Sequence, residues 1–320
     1  MIATYTERLQ FIQANFGKGL ISRDGNDVTV SCPFCKDSSK KKLAISLETW
    51  KYHCWVCSAR GNTLVSALKK FKSREVVDYY RVHFLNSSLL IADTEDIEDK
   101  IELPEGYMPL ATIGKTNHPD VRAAIRYLER RGITEREIWK FRIGITTEGK
   151  FTRRVIFPSL DHAGDLNYFL GRSIDPKSKF RYMNASTDKS GIVFNDVEID
   201  WDKPLYLVEG IFDHIALAEN GTCLLGSTLT TNSLLFRKIV ANEADVVLCL
   251  DSDMTQKIGK ISDLLTSYGC NVKIMDTSSA KDIAEMTPEQ LDYAKSSIED
   301  WNMRSSFRYK ISNIKSGSLL

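Results

Sequence analysis

Two short apolar runs near the middle of the chain dominate its pattern of hydrophobic and polar positions. Residues 205–208 read LYLV and lead to Glu209, and residues 246–250 read VVLCL and lead to Asp251. Aliphatic runs of this length, bounded by polar residues, are typical of strands buried on both faces of a parallel sheet. A helix-like segment separates the two runs. The pattern therefore predicts two neighbouring strands of an α/β sheet.

Acidic residues follow both predicted strands. Because parallel strands end at one sheet edge, where open α/β sheets bind their ligands, we expect Glu209, Asp251 and Asp253 to lie together there. Asp213 stands a few residues after Glu209, and Asp282 follows a further predicted strand. Carboxylates held close together raise one another's pKa or bind a divalent cation, and an all-oxygen site suits Mg²⁺.

The segment before these strands combines helical and alternating patterns with many basic residues. Apolar spacing predicts helices near 119–131 and 133–141, and then short strands over 154–158, 166–172 and 180–184. The basic residues of these strands and their connections are Arg153, Arg154, Arg172, Lys177, Lys179 and Arg181. Such a density suits a phosphate-binding face. Composition alone supports equally well a set of solvated cations at a sheet edge.

Four cysteines form two CxxC pairs with eighteen residues between them: Cys32, Cys35, Cys54 and Cys57. Two such pairs at this separation match a structural zinc site, in which each pair supplies two thiolates to one tetrahedral ion. Alternating apolar and polar residues over 42–47 and 50–54 predict a hairpin between the pairs. The prediction is a zinc ribbon with one structural Zn²⁺ per chain.

The predicted ribbon has a basic surface. Residues 1–75 hold 13 Lys or Arg against 6 Asp or Glu, and Lys40, Lys41 and Lys42 follow one another. An exposed Trp50, Tyr52 or Trp55 beside this patch could stack on bases, and Trp50 is predicted, with the three lysines, to contact single-stranded DNA. The alternative is that the aromatic residues of the ribbon form the small core that a metal-binding domain of this size needs.

The overall composition limits the remaining possibilities. The 320 residues are enough for two or three domains, and the 43 basic and 42 acidic residues are balanced, so affinity for nucleic acid has to come from local patches. No apolar stretch approaches the roughly 20 residues that span a bilayer. The N-terminus has no signal-peptide pattern. We therefore expect a cytoplasmic protein with no membrane partner.

An acidic run divides the chain. Residues 90–105 hold seven acidic residues and one lysine, a composition that predicts a solvated linker. The expected segments are a zinc-binding ribbon domain (1–85), an acidic linker (86–116), a basic subdomain (117–204), an α/β metal-binding subdomain (205–300) and a basic tail (301–320).

These motifs, in this order, resemble those of the DnaG-type DNA primases, and the small size without a helicase resembles the stand-alone bacteriophage form. CPFC and YHCWVCSARGN are similar to the zinc motif of that family, whose second ligand is commonly His and is Cys35 here. The segments RVIFP, GR and RYMN, which lie within 154–184, resemble motifs of its RNA-polymerase core. Residues 209–253 resemble the Toprim module, which topoisomerases and some nucleases share.

The chain departs from that family at two places. Residues 254–256 read MTQ, where the family usually has a small residue and a glycine after its DxD motif. Ala284 stands where the family tends to have a second aspartate after Asp282, with Glu285 next to it as the candidate substitute. These departures concern the peripheral metal site and leave Glu209, Asp251 and Asp253 in place.

The resemblance implies an α/β protein, α+β overall, in which a zinc ribbon precedes an RNA-polymerase core with a Toprim parallel sheet. It implies a primase that makes short RNA primers on single-stranded DNA from ribonucleoside triphosphates, with a replicative helicase as partner. Glu209, Asp251 and Asp253 would be catalytic. Mg²⁺ or Mn²⁺ would be held by these three residues together with Asp213 and Asp282.

The resemblance also assigns the basic segment. Nucleotide or template would be bound by Arg154, Arg172, Arg181, Tyr182 and Asn184. A Toprim nuclease would use the same acids to hydrolyse phosphodiesters, but it needs no arginine-rich strands. A topoisomerase needs a nucleophilic tyrosine on a larger strand-gating body. A catalytically inactive nucleic-acid-binding module would not need the intact acids, and the absence of a Walker A loop argues against a fused ATPase.

Overall fold

A computed structural model describes residues 4–35, 41–85, 101–113, 118–226 and 228–315. The chain divides into two units. The first comprises Met1–Ile97 with Phe236–Asp245 and Asp263–Asn271, and the second comprises Glu98–Leu235, Val246–Ser262 and Val272–Leu320. Each unit has its own hydrophobic core.

An antiparallel sheet forms the centre of the first unit, with its strands in the order β1-β2-β3-β4-β5. The strands are β1 (Leu20–Ile21), β2 (Asp27–Ser31), β3 (Lys41–Ser46), β4 (Tyr52–Cys54) and β5 (Arg60–Gly61). The predicted hairpin is confirmed, because β3 and β4 pair antiparallel with Leu43 opposite Cys54. This pairing fixes the position of the second CxxC pair.

Three helices accompany this sheet: α1 (Tyr5–Phe16), α2 (Val65–Phe71) and α3 (Arg74–Tyr80), which a π-helical turn (Arg81–Leu85) follows. The first helix begins with a capping box between Thr4 and Glu7. It ends at Gly17, whose φ of 85° lies in the left-handed region that favours glycine. Apolar residues of these helices and of β2 to β4 form the core of the unit.

The second unit contains an antiparallel sheet with the order β10-β9-β8-β7-β6. Its strands are β6 (Tyr107–Pro109), β7 (Gly144–Thr146), β8 (Arg154–Leu160), β9 (Leu166–Ser173) and β10 (Tyr182–Asn184). Three helices occur within this part of the chain: α4 (Leu110–Ile113), α5 (Pro119–Glu129) and α6 (Glu135–Lys140). The two longer helices and the last three strands lie where the sequence pattern predicts them.

The antiparallel sheet begins earlier in the chain than predicted. Strand β6 pairs with β7, and α4 follows it directly, so residues 107–113 belong to the folded subdomain and not to a linker over 86–116. A strand of three residues has too few positions to show an alternating pattern, which is why the sequence did not reveal it. Residues 86–100 lie outside the described residues, so a linker there stays a prediction.

The second unit also contains the predicted parallel sheet, with the order β12-β11-β13-β14-β15. Its strands are β11 (Leu205–Val208), β12 (Gly221–Cys223), β13 (Val246–Cys249), β14 (Val272–Ile274) and β15 (Glu299–Asp300). The first four are parallel, and β15 is antiparallel to β14. Strands β11 and β13 are neighbours with Val208 opposite Cys249, which confirms the prediction.

Five α-helices follow β11 in the described part of the chain: α7 (Ile211–Leu217), α8 (Leu234–Asn242), α9 (Thr255–Ser267), α10 (Pro288–Ser296) and α11 (Met303–Lys315). Most of α8 and the end of α9 belong to the first unit. Helix α11 lies within the predicted basic tail, and the ring of Tyr309 packs against Trp301 with 5.4 Å between centroids. No helix in the described ranges combines the length and the apolar character that a membrane crossing requires.

One hydrophobic core joins the two sheets of the second unit. It includes Phe157 and Tyr168 from the antiparallel sheet, and Val208 and Phe212 from β11 and the start of α7. The rings of Phe157 and Phe212 meet edge to face with centroids 5.5 Å apart. The basic strands and the acidic sheet edge are therefore parts of one packed body.

Candidate metal centres and basic face

The four cysteines of the two CxxC pairs come together in the first unit. Their sulfur atoms all lie within 4.8 Å of one another, with 3.7 Å between Cys32 and Cys57 and 3.7 Å between Cys35 and Cys54. No other group of three or more His, Cys, Asp or Glu ligands in the described ranges is this compact. Four thiolates at such distances form the ligand set of a structural zinc site.

The three remaining cysteines are buried and do not join this cluster. Burial raises the pKa of the Cys223 and Cys270 thiols to about 12, so both are protonated at neutral pH. Buried, protonated thiols of this kind pack as small apolar side chains.

The structure corrects the prediction for Trp50. Its side chain is only 2% exposed and packs edge to face against Tyr80, so no base can stack on it. Trp55, in the turn of the second CxxC pair, is instead 74% exposed and contacts His53. An alternating strand pattern does not distinguish an indole that closes the core from one that faces solvent.

Two of the three lysines predicted to contact DNA are among the described residues. Lys42 is exposed and Lys41 is half-buried on β3, whereas Lys40 lies outside the described residues. Contact of these lysines with DNA stays a prediction.

The acidic residues of the second unit meet at the predicted sheet edge. Glu209 follows the last residue of β11, and Asp251 lies two residues beyond β13, which pairs with β11 in parallel. Asp253 comes just before α9, and Asp213 lies in the first turn of α7. Asp282 immediately precedes the 3-10 turn Ile283–Glu285.

Asp213 is the most buried of these acids, at 9% exposure. Its two carboxylate oxygens accept hydrogen bonds from the backbone N–H groups of Gly210 and Ala284, both at 3.2 Å. Its pKa is raised to about 6, first by burial and then by the charges of Asp282 and Glu209, against the lowering effect of the two hydrogen bonds.

The pKa of Asp251 responds to all four other acidic residues of the cluster. Its pKa is raised to about 6, first by burial and then by the negative charges of Asp213, Glu209, Asp282 and Asp253. The carboxylates therefore lie close enough to act on one another electrostatically.

The cluster fits a divalent cation. Glu209 Oε2 and Asp282 Oδ1 are buried and have no hydrogen-bond partner among the described residues. Buried carboxylate oxygens without partners are costly, and a divalent ion supplies what they lack. The all-oxygen donor set suits Mg²⁺ or Mn²⁺ rather than a softer metal.

The predicted nucleotide-binding residues have different environments. Arg154 is 6% exposed and donates hydrogen bonds to the carbonyl oxygens of Phe180, at 2.8 Å, and of Arg181, at 3.3 Å. Its guanidinium therefore holds the segment before β10 in place. Arg181 itself is exposed, and Asn184 is half-buried on β10.

Arg172 and Tyr182 lie together on the antiparallel sheet. The Arg172 guanidinium lies over the Tyr182 ring at 4.6 Å, and its Nε donates to the Tyr127 hydroxyl at 3.1 Å. Arg172 is also 6.0 Å from the centre of the Phe212 ring. Stacked guanidinium groups keep N–H donors available for phosphate oxygens.

Sequence analysis missed Arg131 and Phe212. Arg131 lies 4.9 Å over the Phe212 ring and 5.8 Å over that of Tyr127. Phe212 immediately precedes Asp213 in the first turn of α7, so the arginines over its ring lie beside the segment that carries Asp213. The position of Phe212 next to Asp213 was the one available signal.

Comparisons with known proteins agree with this geometry. The family model described as Toprim-like matches residues 206–287, the parallel sheet and its acids. The DNA primase of Campylobacter jejuni is 24% identical over an alignment of 335 residues, which covers 89% of this chain and 54% of that protein. The chain is therefore similar to DNA primases over most of its own length. It spans about half the length of the curated primases that it matches.

Other primases give the same result. The DNA primase of Mycoplasma pneumoniae is 30% identical over 178 residues, which cover 51% of this chain and 29% of that protein. A solved DnaG primase catalytic domain bound to single-stranded DNA matches with a TM-score of 0.50 and 21% identity, over 57% of this chain and 74% of that one. This structural likeness shows that the primase relatives share the fold. The bacteriophage form stays a prediction.

Proposed function

We propose that this protein is a DNA primase that synthesises short RNA primers on single-stranded DNA by metal-assisted nucleotidyl transfer. The observation that supports this most directly is that Arg131 and Arg172 lie over the ring of Phe212, the residue before Asp213, while Tyr182 lies close enough to Asp213 for the Asp213 charge to raise its pKa. Phosphate-binding arginines beside a divalent-cation site are what a nucleotidyltransferase needs, whereas hydrolysis alone does not require them.

Glu209, Asp251 and Asp253 would hold the catalytic Mg²⁺ or Mn²⁺, with Asp213 and Asp282 beside them. Bound divalent cations would lower the pKa of the attacking 3′-hydroxyl and neutralise charge on the attacking and leaving oxygens. Glu209 is also the candidate general base, which would accept the proton of the hydroxyl. Asp213 keeps α7 and the turn after Asp282 together through its two backbone hydrogen bonds.

The basic face would bind the polyanionic ligands. Arg172, Arg131 and Arg181 are assigned to the triphosphate or the template backbone, because their guanidinium groups are stacked on aromatic rings or exposed. Tyr182 and Asn184 would position a base or a ribose. Arg154 is a positioning residue, since its donors are used by the chain itself.

The zinc ribbon would select the start site on the template. Lys42 and Trp55 give it an exposed cation and an exposed aromatic ring, and single strands are bound by this combination of charge and stacking. Ribonucleoside triphosphates would be the substrates and a replicative helicase the partner protein.

The test uses the purified zinc-loaded protein with Mg²⁺ or Mn²⁺, ribonucleoside triphosphates and single-stranded DNA. We expect short RNAs, and we expect Glu209→Gln and Asp251→Asn to abolish them. Asp292→Asn is the matched control, because Asp292 is an exposed acid on α10 outside the cluster. Strand cleavage without synthesis would overturn the primase assignment in favour of a Toprim nuclease.

A further inference from the structure

A lysine forms an ion pair with Glu209, one of the predicted metal ligands of the acidic cluster. Lys257, in the first turn of α9, donates from Nζ to Glu209 Oε1 at 3.2 Å. The two side chains are 15% and 25% exposed, so the pair is shielded from bulk water to a large extent. Neither the departure of residues 254–256 from the primase pattern nor any other sequence signal indicates this contact.

Among the residues that the structure describes, Lys257 is the one cation that forms an ion pair with this cluster. Among the described residues, no other ion pair involves Glu209, Asp213, Asp251, Asp253 or Asp282. Asp213 is satisfied by backbone N–H groups instead. The ammonium group therefore supplies the only side-chain positive charge in direct contact with this cluster among the described residues, and it makes that contact through Glu209.

We propose that Lys257 is an exchangeable counter-cation, which holds Glu209 in the metal-free protein and is displaced when a divalent cation binds. In this role it lowers the affinity of the site for free metal ions. The inference rests on the metal-binding part of the proposed function and does not depend on RNA synthesis.

The geometry requires an exchange rather than a shared site. Glu209 Oε1 is engaged by Lys257, while Oε2 is buried without a partner among the described residues. An ammonium group and a divalent ion on one carboxylate would lie within a few ångströms of each other and repel strongly. Lys257 is a flexible, hydrated point charge, so it can leave without disturbing the backbone of α9.

The experiment measures Mn²⁺ binding to the zinc-loaded full chain by the electron paramagnetic resonance signal of free Mn²⁺, without DNA or nucleotides. Lys257→Met should bind Mn²⁺ on the order of tenfold more tightly than the parent, because the competing charge is gone. Lys257→Arg keeps the charge and should bind like the parent. Lys260→Met removes an exposed lysine from the same helix and should change the affinity less than about twofold.

A double-mutant cycle tests whether Glu209 transmits the effect. In a Glu209→Gln background, Lys257→Met should no longer tighten Mn²⁺ binding. Circular dichroism and zinc content identify variants that fail to fold, and Lys257→Arg provides the comparison if Lys257→Met is one of them. The inference is overturned by equal Mn²⁺ affinities of the parent and Lys257→Met, or by an effect that persists undiminished with Glu209→Gln. A parent that binds Mn²⁺ as expected but makes no RNA would overturn the proposed function alone.

Discussion

Asp213 Oδ1 accepts a hydrogen bond at 3.2 Å from the backbone N–H of Ala284, 71 residues further along the chain. This bond ties the first turn of α7 to the turn that follows Asp282. Because the backbone of residue 284 makes the contact, alanine can fill a position where the primases tend to have aspartate. The bond also helps to keep Asp282 near Asp213, whose pKa burial raises to about 6 with a further contribution from the Asp282 charge.

The raised pKa of Asp251 predicts how the magnesium-free protein responds to pH. Its pKa is about 6 in the folded state, against about 3.9 for an unfolded aspartate. The folded state therefore binds the proton more tightly, so stability from this group is present below about pH 4 and lost as the pH rises through about 6. Asp251→Asn, which cannot ionise, should become more stable than the parent by about 1 kcal/mol between about pH 5 and 7.5.

Urea unfolding of zinc-loaded protein in magnesium-free buffer without chelators measures this difference. Asp292→Asn serves as the control, since its free energy of unfolding should follow that of the parent across the same range. Adding Mg²⁺ should make the parent more stable than Asp251→Asn, because only the parent then gains the full binding energy of the ion. The prediction would be contradicted if, without Mg²⁺, the difference in unfolding free energy between the parent and Asp251→Asn did not change with pH.

The zinc site should be required for the fold of the first unit. Cys54→Ser removes a ligand at the end of β4, where the strand pairs with β3. We expect zinc content to fall from about one ion per chain to well below half, with loss of the sheet, because ligand binding and folding of such sites are coupled. Cys270→Ala, at a buried cysteine outside the cluster, should keep its zinc. Metal analysis and circular dichroism distinguish the two variants, and a zinc-free Cys54→Ser that stays folded would contradict this.

The two tryptophans of the ribbon should behave in opposite ways. Trp50→Ala empties a buried site between Phe11, Tyr80 and Phe84 and should cost about 3–5 kcal/mol of unfolding free energy. Trp55→Ala removes an exposed ring and should leave stability within about 0.5 kcal/mol of the parent. The same change should weaken binding of single-stranded DNA by about 1–3 kcal/mol if the ring stacks on a base. Thermal unfolding and fluorescence anisotropy measure the two effects, and unchanged DNA binding of Trp55→Ala would remove this residue from the interface.

Sequence reasoning predicted those features that depend on local order along the chain. The apolar run before Glu209 and the matching run before Asp251 indicated parallel neighbours, although the segment between them contains two helices and the short strand β12, and not only the predicted helix. The two CxxC pairs indicated their cluster because ligand spacing within each pair is set by the local turn. Each strand and each CxxC pair was indicated by residues close in sequence. The meeting of Glu209 and Asp251 needed in addition the rule that parallel strands end at one sheet edge.

The features that the sequence did not reveal depend on contacts between distant segments. Arg154 has the composition of a phosphate-binding residue, and only the packing of β8 against the segment before β10 shows that its donors are used internally. Lys257 reaches Glu209 across 48 residues, which no periodic pattern records. Trp50 and Trp55 differ in exposure because of how α1 and α3 pack, not because of their immediate neighbours.

The different environments of Arg154 and Arg181 give the last prediction. Arg154→Met leaves the buried carbonyl oxygens of Phe180 and Arg181 without their donor and should lower the unfolding free energy by about 1–3 kcal/mol. Arg181→Met removes an exposed guanidinium and should leave stability within about 0.5 kcal/mol of the parent. If Arg181 contacts a phosphate, this variant should also reduce the salt dependence of DNA binding, with a slope of log K against log salt that is smaller by about one.

Urea unfolding and DNA titrations at several salt concentrations measure both effects for each variant. Normal stability of Arg154→Met would show that its carbonyl contacts are dispensable, and an unchanged salt slope for Arg181→Met would place the phosphate elsewhere on the basic face.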